Sequence, residues 1–371
     1  MRPTDTRPNG TPPETHEEAS QGWGRVTSMA RWLARRRQQP SGAMPRVSVV
    51  MPVYNAEATL AECLTRLCNS TAGNFEIVLV DDGSTDQSRA IAANFPVRIV
   101  PTAGRVGPAA ARNLGARVAE GDIVFFIDSD VMVRSDTIAR VVDSLRQADV
   151  DGVVGVQAAD MRHRDLVSQY KNIWMRWTYV RQLGEVPLFY TTAAAIRRDA
   201  FLRAGGFDQG YANPNVEDTA FGQKLARLGI RVRVEPGLEV EHVKRYSLVG
   251  LLRTDFMRAV SLTRLKLRQR AELTQNNTSV PVSYMASMPL ALLGTGLLAA
   301  GAGLEARALG IAGATALAGA VVLNRGFLGA IADADGWGRA VMAVPLLWLE
   351  LVVAGVGGGV GIVTYALGKR Y

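Results

Sequence analysis

Four acidic residues in two short segments are the part of this sequence best equipped for chemistry. Asp81 and Asp82 close the apolar run Val78-Leu79-Val80 and precede Gly83-Ser84-Thr85-Asp86. Two carboxylates at a strand end, before a turn that opens a helix, place oxygen acceptors over a bound ligand. The same residues also describe an ordinary turn with a helix N-cap. Asp128 and Asp130 follow the run Phe125-Phe126-Ile127. An Asp-Ser-Asp delivered into a crevice by a buried strand suits a hard divalent cation, Mg²⁺ or Mn²⁺, whose other ligands come from a diphosphate and water. Such a cation offsets charge on a nucleoside diphosphate leaving group. A plain strand-end turn is the alternative.

These carboxylates need strands to carry them. From Arg46 onward, apolar spacing predicts strands over 47–53, 75–81, 97–101 and 122–128, with helices over 59–68, 85–94, 108–119 and 136–148. That alternation predicts an α/β domain with a parallel sheet covered on both faces. Ligands in such sheets bind at the carboxyl ends of the strands, where the acidic segments fall. Further on, a short strand over 231–234 and a segment over 237–240 precede His242. Tyr170, Trp174, Trp177 and Tyr179, with His163, are placed on a helix. At that spacing the aromatics form core, or line an acceptor channel.

Composition removes several classes. With 48% hydrophobic and 20% charged residues, the chain is neither disordered throughout nor a coiled coil. Cys63 and Cys68 read as buried thiols in a reducing compartment, and three scattered histidines do not make a His-rich zinc site. There is no Walker P-loop, serine nucleophile elbow or GxGxxG fingerprint. The first thirty residues lack the apolar region of a secretory signal.

Charge and hydropathy divide the chain further. Residues 1–45 read as a disordered basic tail, or as a surface-lying helix carrying Trp23, Val26, Met29, Trp32 and Leu33. Residues 46–245 form the catalytic domain. Residues 246–281 are a basic interfacial helical segment, and 282–371 hold two to three membrane spans. Residues 282–304 carry no charge and suffice for the ~30 Å hydrocarbon core. Residues 308–324 are near the lower limit, and 340–368 include Glu350, costing about 3 kcal/mol if it faced lipid. Between Lys244 and Arg270, eight basic residues stand against Asp255 alone. By the positive-inside rule this predicts a multi-pass protein of the cell (inner) membrane with a cytoplasmic catalytic domain. Basic stretches outside that domain point to a membrane surface as partner, not to nucleic acid.

Together the segments resemble a known family. Val49-Val50-Met51-Pro52-Val53-Tyr54-Asn55-Ala56-Glu57, then Val80 to Asp86, then Gly107-Pro108-Ala109-Ala110-Ala111-Arg112-Asn113, then Asp128-Ser129-Asp130, resemble in order the motifs of family 2 glycosyltransferases. The resemblance covers about residues 46–245. It implies a GT-A, Rossmann-like nucleotide-diphospho-sugar transferase fold. It further implies that Pro52, Tyr54 and Glu57 surround base and ribose, that Asp82 binds the base and that Arg112 faces the nucleotide. Asp128 and Asp130 would hold the ribose and the metal-diphosphate. His242 would be a further metal ligand, or a structural histidine.

The acceptor half is similar to the same family. Residues 191–196, then Gly205-Gly206-Phe207-Asp208 and Asn215-Val216-Glu217-Asp218, resemble its acceptor segment and its Glu-Asp motif. The resemblance makes Asp218, with Glu217, the catalytic pair. A carboxylate at a helix N-terminus is stabilised as the anion, a suitable state for a general base; a helix cap is the alternative. The implied reaction is inverting transfer of a single sugar from a nucleotide-sugar donor to a hydroxyl on a lipid-linked or cell-envelope glycan acceptor. Processive members carry Gln-x-x-Arg-Trp where this chain has Arg253-Thr254-Asp255-Phe256-Met257-Arg258. A polyprenyl phosphate acceptor is the alternative. A nucleotidyltransferase would want a Gly-rich basic segment after the first strand. A silent membrane scaffold would not need Asp128, Asp130 and Asp218 together.

Overall fold

The computed structural model describes residues 46–147, 149–182, 184–211, 216–269 and 278–369. The expectations for the tail 1–45, and for Asn215 and Arg270, fall outside them. β-branched and aromatic runs become the first strands: β1 (Val47–Val53), β2 (Phe75–Asp81), β3 (Arg98–Pro101) and β4 (Ile123–Ile127). Between them lie α1 (Leu60–Cys68), α2 (Ser88–Ala92) and α3 (Pro108–Val118), the last begun by a proline that needs no N–H there. The predicted helix over 85–94 shrinks to α2. The Thr85 N–H donates to Asn55 Oδ1 (2.8 Å) and the Gln87 N–H to Glu57 Oε2 (3.0 Å), so its first turn serves the loop after β1 instead.

The chain continues through β5 (Val131–Val133), α4 (Thr137–Gln147), β6 (Gly152–Gln157) and α5 (Leu166–Val180). It then forms β7 (Gly184–Glu185), β8 (Ala193–Arg197), α6 (Arg198–Arg203), α7 (Glu217–Arg227) and β9 (Val232–His242). His163 precedes α5 and is not part of it. The two segments expected at 231–234 and 237–240 are one strand, β9, whose register against β6 shifts between Val154 and Val156.

Among the described residues the sheet runs β3-β2-β1-β4-β8-β6-β9-β5, with β7 on β9. β1 to β4 are parallel as expected, but β8 is antiparallel to both β4 and β6, and β5 to β9. The sheet is therefore mixed, correcting the all-parallel expectation. A short apolar run such as Ala193-Ala194-Ala195-Ile196 announces burial but carries no direction.

An aromatic cluster joins β4, α6 and α7. Phe207 packs on Phe221 with ring centroids 4.4 Å apart, and Phe126 on Phe201 at 5.2 Å. Asn113 fixes the loop above it, donating to the Phe207 carbonyl and accepting from the Phe207 N–H, both at 2.9 Å. Gly206 adopts φ +68°, and a Cβ there would come within 2.4 Å of Asn113 Oδ1, so only glycine passes.

The C-terminal part is helical: α8 (Leu248–Arg268), α9 (Val282–Gly303), α10 (Arg307–Leu323), α11 (Arg325–Asp335) and α12 (Trp337–Ala366). α9 and α12 are long and apolar enough to cross a membrane. α10 and α11 add a third candidate only if the pair, bent by 61°, is taken as one span. α9 and α10 approach closely at Gly294 and Gly313, as small residues permit. Glu350 on α12 does not face outward. At 2% exposure it meets Lys171 Nζ (3.7 Å) and accepts from the Tyr170 hydroxyl.

Removing a buried aromatic should be costly. Phe221→Ala is expected to lose about 3–5 kcal/mol of stability, whereas Leu202→Ala, 43% exposed, should stay within about 0.5 kcal/mol. Thermal unfolding of the full chain in detergent checks this; equal losses would contradict the packing described.

Candidate active site

β1 and β4 are sheet neighbours although β2 and β3 intervene in sequence. The crevice beyond such a switch point is where open α/β sheets bind ligands. Here it is a cleft of about 560 Å³. Pro52 and Tyr54 enter it from β1, Asp82 from β2, Arg112 from α3, Asp128 and Asp130 from β4, and His242 from β9. Glu217 and Asp218 line the opposite side from the start of α7. All the expected site residues except Glu57 thus share one space. Glu57 sits outside the lining and holds the turn after β1 through Gln87 and Asp86.

Arg112 is the centre of this arrangement. It is 4% exposed, and its guanidinium donates to Asp128 Oδ1 at 2.7 Å and to Glu217 Oε1 at 3.0 Å. A planar guanidinium suits two carboxylates at once. Arg112 lines the cleft as expected, yet two of its nitrogens are committed to joining the acids that follow β4 and open α7. Asp82 is similarly employed: its carboxylate accepts from the Val106 and Gly107 N–H groups at 2.8 and 2.9 Å. It thereby shapes the loop carrying Arg105, whose guanidinium lies 4.3 Å above the Tyr54 ring. Sequence reasoning missed Arg105. Its signal was a basic residue between Gly104 and Gly107 just before the Pro108 helix start.

The register of β5 on β9 sets Val131 opposite His242, and the Val243 N–H donates to the Asp130 carbonyl at 2.9 Å. His242 Nε2 therefore stands 3.0 Å from Asp130 Oδ2. Burial raises the Asp130 carboxyl, but the His242 ring and Lys244 outweigh it and hold the group below its ordinary value. Among the described residues no three His, Cys, Asp or Glu side chains form a metal cage. The pair nevertheless fits a divalent cation that keeps other ligands for phosphate and water. Adjacent ligands on an octahedral ion with bonds near 2.1 Å lie about 3.0 Å apart.

Asp218 opens α7 and accepts from the Thr219 N–H at 2.6 Å. Burial, and then the charge of Glu217, push its carboxyl up to about 6. That value suits a base working near neutrality.

Residues 48–204 match the family described as Glycosyl transferase family 2. An uncharacterized glycosyltransferase of Haemophilus influenzae is 39% identical over 109 residues, 28% of this chain and 44% of that protein. Glycosyltransferase GlyG of Streptococcus pneumoniae is 38% identical over 114 residues, 29% of this chain and 38% of that one. The chain thus spans less than half the length of either relative. A mannosyltransferase from Pyrobaculum calidifontis, solved with GDP-Man and Mn²⁺, superposes with a TM-score of 0.52 at 22% identity. That match covers 92% of this chain and 96% of that one. Residues 48–204 thus match a family 2 glycosyltransferase domain, and the fold is similar to that of the mannosyltransferase.

Arg112→Ala would leave the buried Glu217 and the half-buried Asp128 without their cation, at a cost of about 3 kcal/mol. Arg66→Ala, which removes an exposed helical pair with Glu62, should cost at most about 1 kcal/mol. Unfolding measurements that rank the two alike would show that Arg112 does not hold the site together.

Proposed function

We propose that this protein is a membrane-anchored inverting glycosyltransferase. It moves one sugar from a nucleotide-sugar donor to a hydroxyl of a lipid-linked or cell-envelope glycan acceptor. The observation carrying this reading is the placement of the Asp130–His242 pair and the Asp218 carboxylate on one cleft, with Arg112 joining the acids behind them. The similar mannosyltransferase fold with GDP-Man and Mn²⁺ supports a nucleotide-sugar donor and a divalent cation.

The donor occupies the β1–β4 side. Tyr54 and Arg105 offer a stacked surface to the base, while Lys244 and Arg253 line the cleft where a diphosphate needs cations. Asp130 and His242 would hold Mg²⁺ or Mn²⁺, which when bound offsets the charge on the diphosphate oxygens. On the acceptor side, Asp218 takes the proton from the attacking hydroxyl. The hydroxyl oxygen forms a bond to the anomeric carbon as the bond to the diphosphate oxygen breaks, and the nucleoside diphosphate leaves with the electron pair. Glu217, ion-paired with Arg112, positions its neighbour and does not itself take the proton.

Anchoring follows from α9 and α12, with the basic residues near α8 supporting a cytoplasmic, inner-membrane placement of the domain. Only part of that basic stretch is free to meet a lipid surface. Arg245 is exposed and outside the cleft lining, whereas Lys244 and Arg253 line the cleft, Arg264 bonds Thr364 and Arg268 bonds the Tyr211 hydroxyl.

Two outcomes test the assignment. Asp218→Asn should lower transfer by about 10²–10⁴-fold while nucleotide binding by calorimetry survives. Because the carboxyl near 6 is a base only when deprotonated, wild-type kcat/KM should fall about tenfold per pH unit below pH ~6. The variant should lose that limb; an unchanged acid limb would remove Asp218 as the base. Separately, losing even a group that orients a metal ligand costs about 10–100-fold in metal affinity, so Asp130→Ala should weaken Mn²⁺-dependent nucleoside diphosphate binding at least as much. Unaltered binding would take the metal away from this pair.

A further inference from the structure

Behind the cleft lies a second cavity of about 260 Å³, which shares Lys171, Met175, Tyr190, Asp218 and Arg258 with the cleft lining. It is bounded by α5, α8, α9 and α12, so candidate membrane helices form part of its wall. Trp174, Tyr284, Met285, Met288 and Ala354 make that wall largely apolar, and methionines adapt readily to irregular hydrocarbon.

Its cations are out of keeping with such walls. Lys171 is satisfied by Asp255 at 2.5 Å and Glu350 at 3.7 Å. Arg258 and Lys266 make no such direct pair, although Asp218 and Asp255 lie near enough to offset part of the Arg258 charge. Among the described residues neither has a carboxylate within ion-pairing distance, and their recorded polar contacts are weak acceptors: Met175 Sδ at 3.9 Å and Met285 Sδ at 3.8 Å. Arg258, Leu262 and Lys266 recur every four residues and share one face of α8. Lys266 without a carboxylate, and Arg258 offset by Asp218 and Asp255 only at a distance, leave this apolar chamber suited to an anion that completes them.

We propose that this chamber receives the acceptor, and that the acceptor is a lipid phosphate carrying a hydroxyl-bearing head. The inference rests on the glycosyl-transfer reading above and adds the acceptor's class and the residues that select it. The apolar chain lies against the α9 and α12 wall. The phosphate sits between Lys266 and Arg258, which are separated by about 12 Å along the helix axis. That span leaves room for the head to extend toward Asp218 at the junction with the donor cleft. The chamber thereby explains why Asp218 borders both cavities.

The test uses the full chain in a zwitterionic detergent, with binding measured for farnesyl phosphate, farnesol, inorganic phosphate and phosphatidylglycerol. Farnesyl phosphate should bind saturably, and each of the others at least about tenfold more weakly. Lys266→Gln and the chamber-filling Met288→Trp should each weaken farnesyl phosphate by about tenfold or more. Both should keep Mn²⁺-dependent nucleoside diphosphate binding, which reports an intact domain. Unchanged farnesyl phosphate binding in Lys266→Gln would overturn the proposal. So would equal binding of phosphatidylglycerol, which would make the chamber a seat for bilayer lipid. Failure of the wild-type chain to bind any nucleoside diphosphate would instead refute the glycosyl-transfer reading.

Discussion

One buried guanidinium ties the two halves of this domain together. Arg112 arises from the helix after β3, Asp128 from the end of β4 and Glu217 from the start of α7, and all three meet where solvent is excluded from the arginine. Each carboxylate alone would be expensive to bury; with a shared cation and directional hydrogen bonds the cost is largely offset. The geometry of Asp130 and Asp218 follows from this contact, because each is attached within two residues of an acid that Arg112 holds. Asn113, the next residue, repeats the logic in neutral form by clasping the backbone of Phe207. One turn of helix therefore sets the spacing between the β4 and α7 sides of the cleft.

A second buried polar cluster does for the C-terminal helices what Arg112 does for the sheet. Lys171 on α5 reaches Asp255 on α8 and Glu350 on α12, with Tyr170 also bonded to Glu350. Phe327 packs edge-on against Tyr170 and Trp174, at centroid distances of 5.0 and 4.9 Å. The carboxylate that would be costly against lipid is thus turned into the protein, where it locks α12 onto the catalytic domain. On the proposed reading, the acceptor side is completed by these helices and anchoring is part of the site's construction.

Much of this was legible in the sequence, for physical reasons specific to each element. β1 and β2 are delimited as expected because β-branched runs end at Pro52-Val53-Tyr54 and Asp81-Asp82-Gly83, where turn chemistry is local. The direction of β8 was not legible, since burial of an alanine run is the same either way round. Nor was the partnership of Arg112 with Glu217, which lie 105 residues apart, or the employment of Asp82 in shaping the Arg105 loop. The aromatics of α5 were left between core and channel lining. Trp174 and Tyr179 are buried in the core and also line the second cavity. That cavity collects residues from six separate segments, and no local pattern announces it.

The proposed reaction is a single displacement at the anomeric carbon by an acceptor hydroxyl that Asp218 deprotonates. The most direct measurement is the proton NMR spectrum of the newly formed glycosidic linkage, made by the purified chain from a donor of known configuration. An anomeric signal of configuration opposite to the donor's is the predicted result. A product that keeps the donor's configuration would contradict the single displacement and, with it, the role given to Asp218.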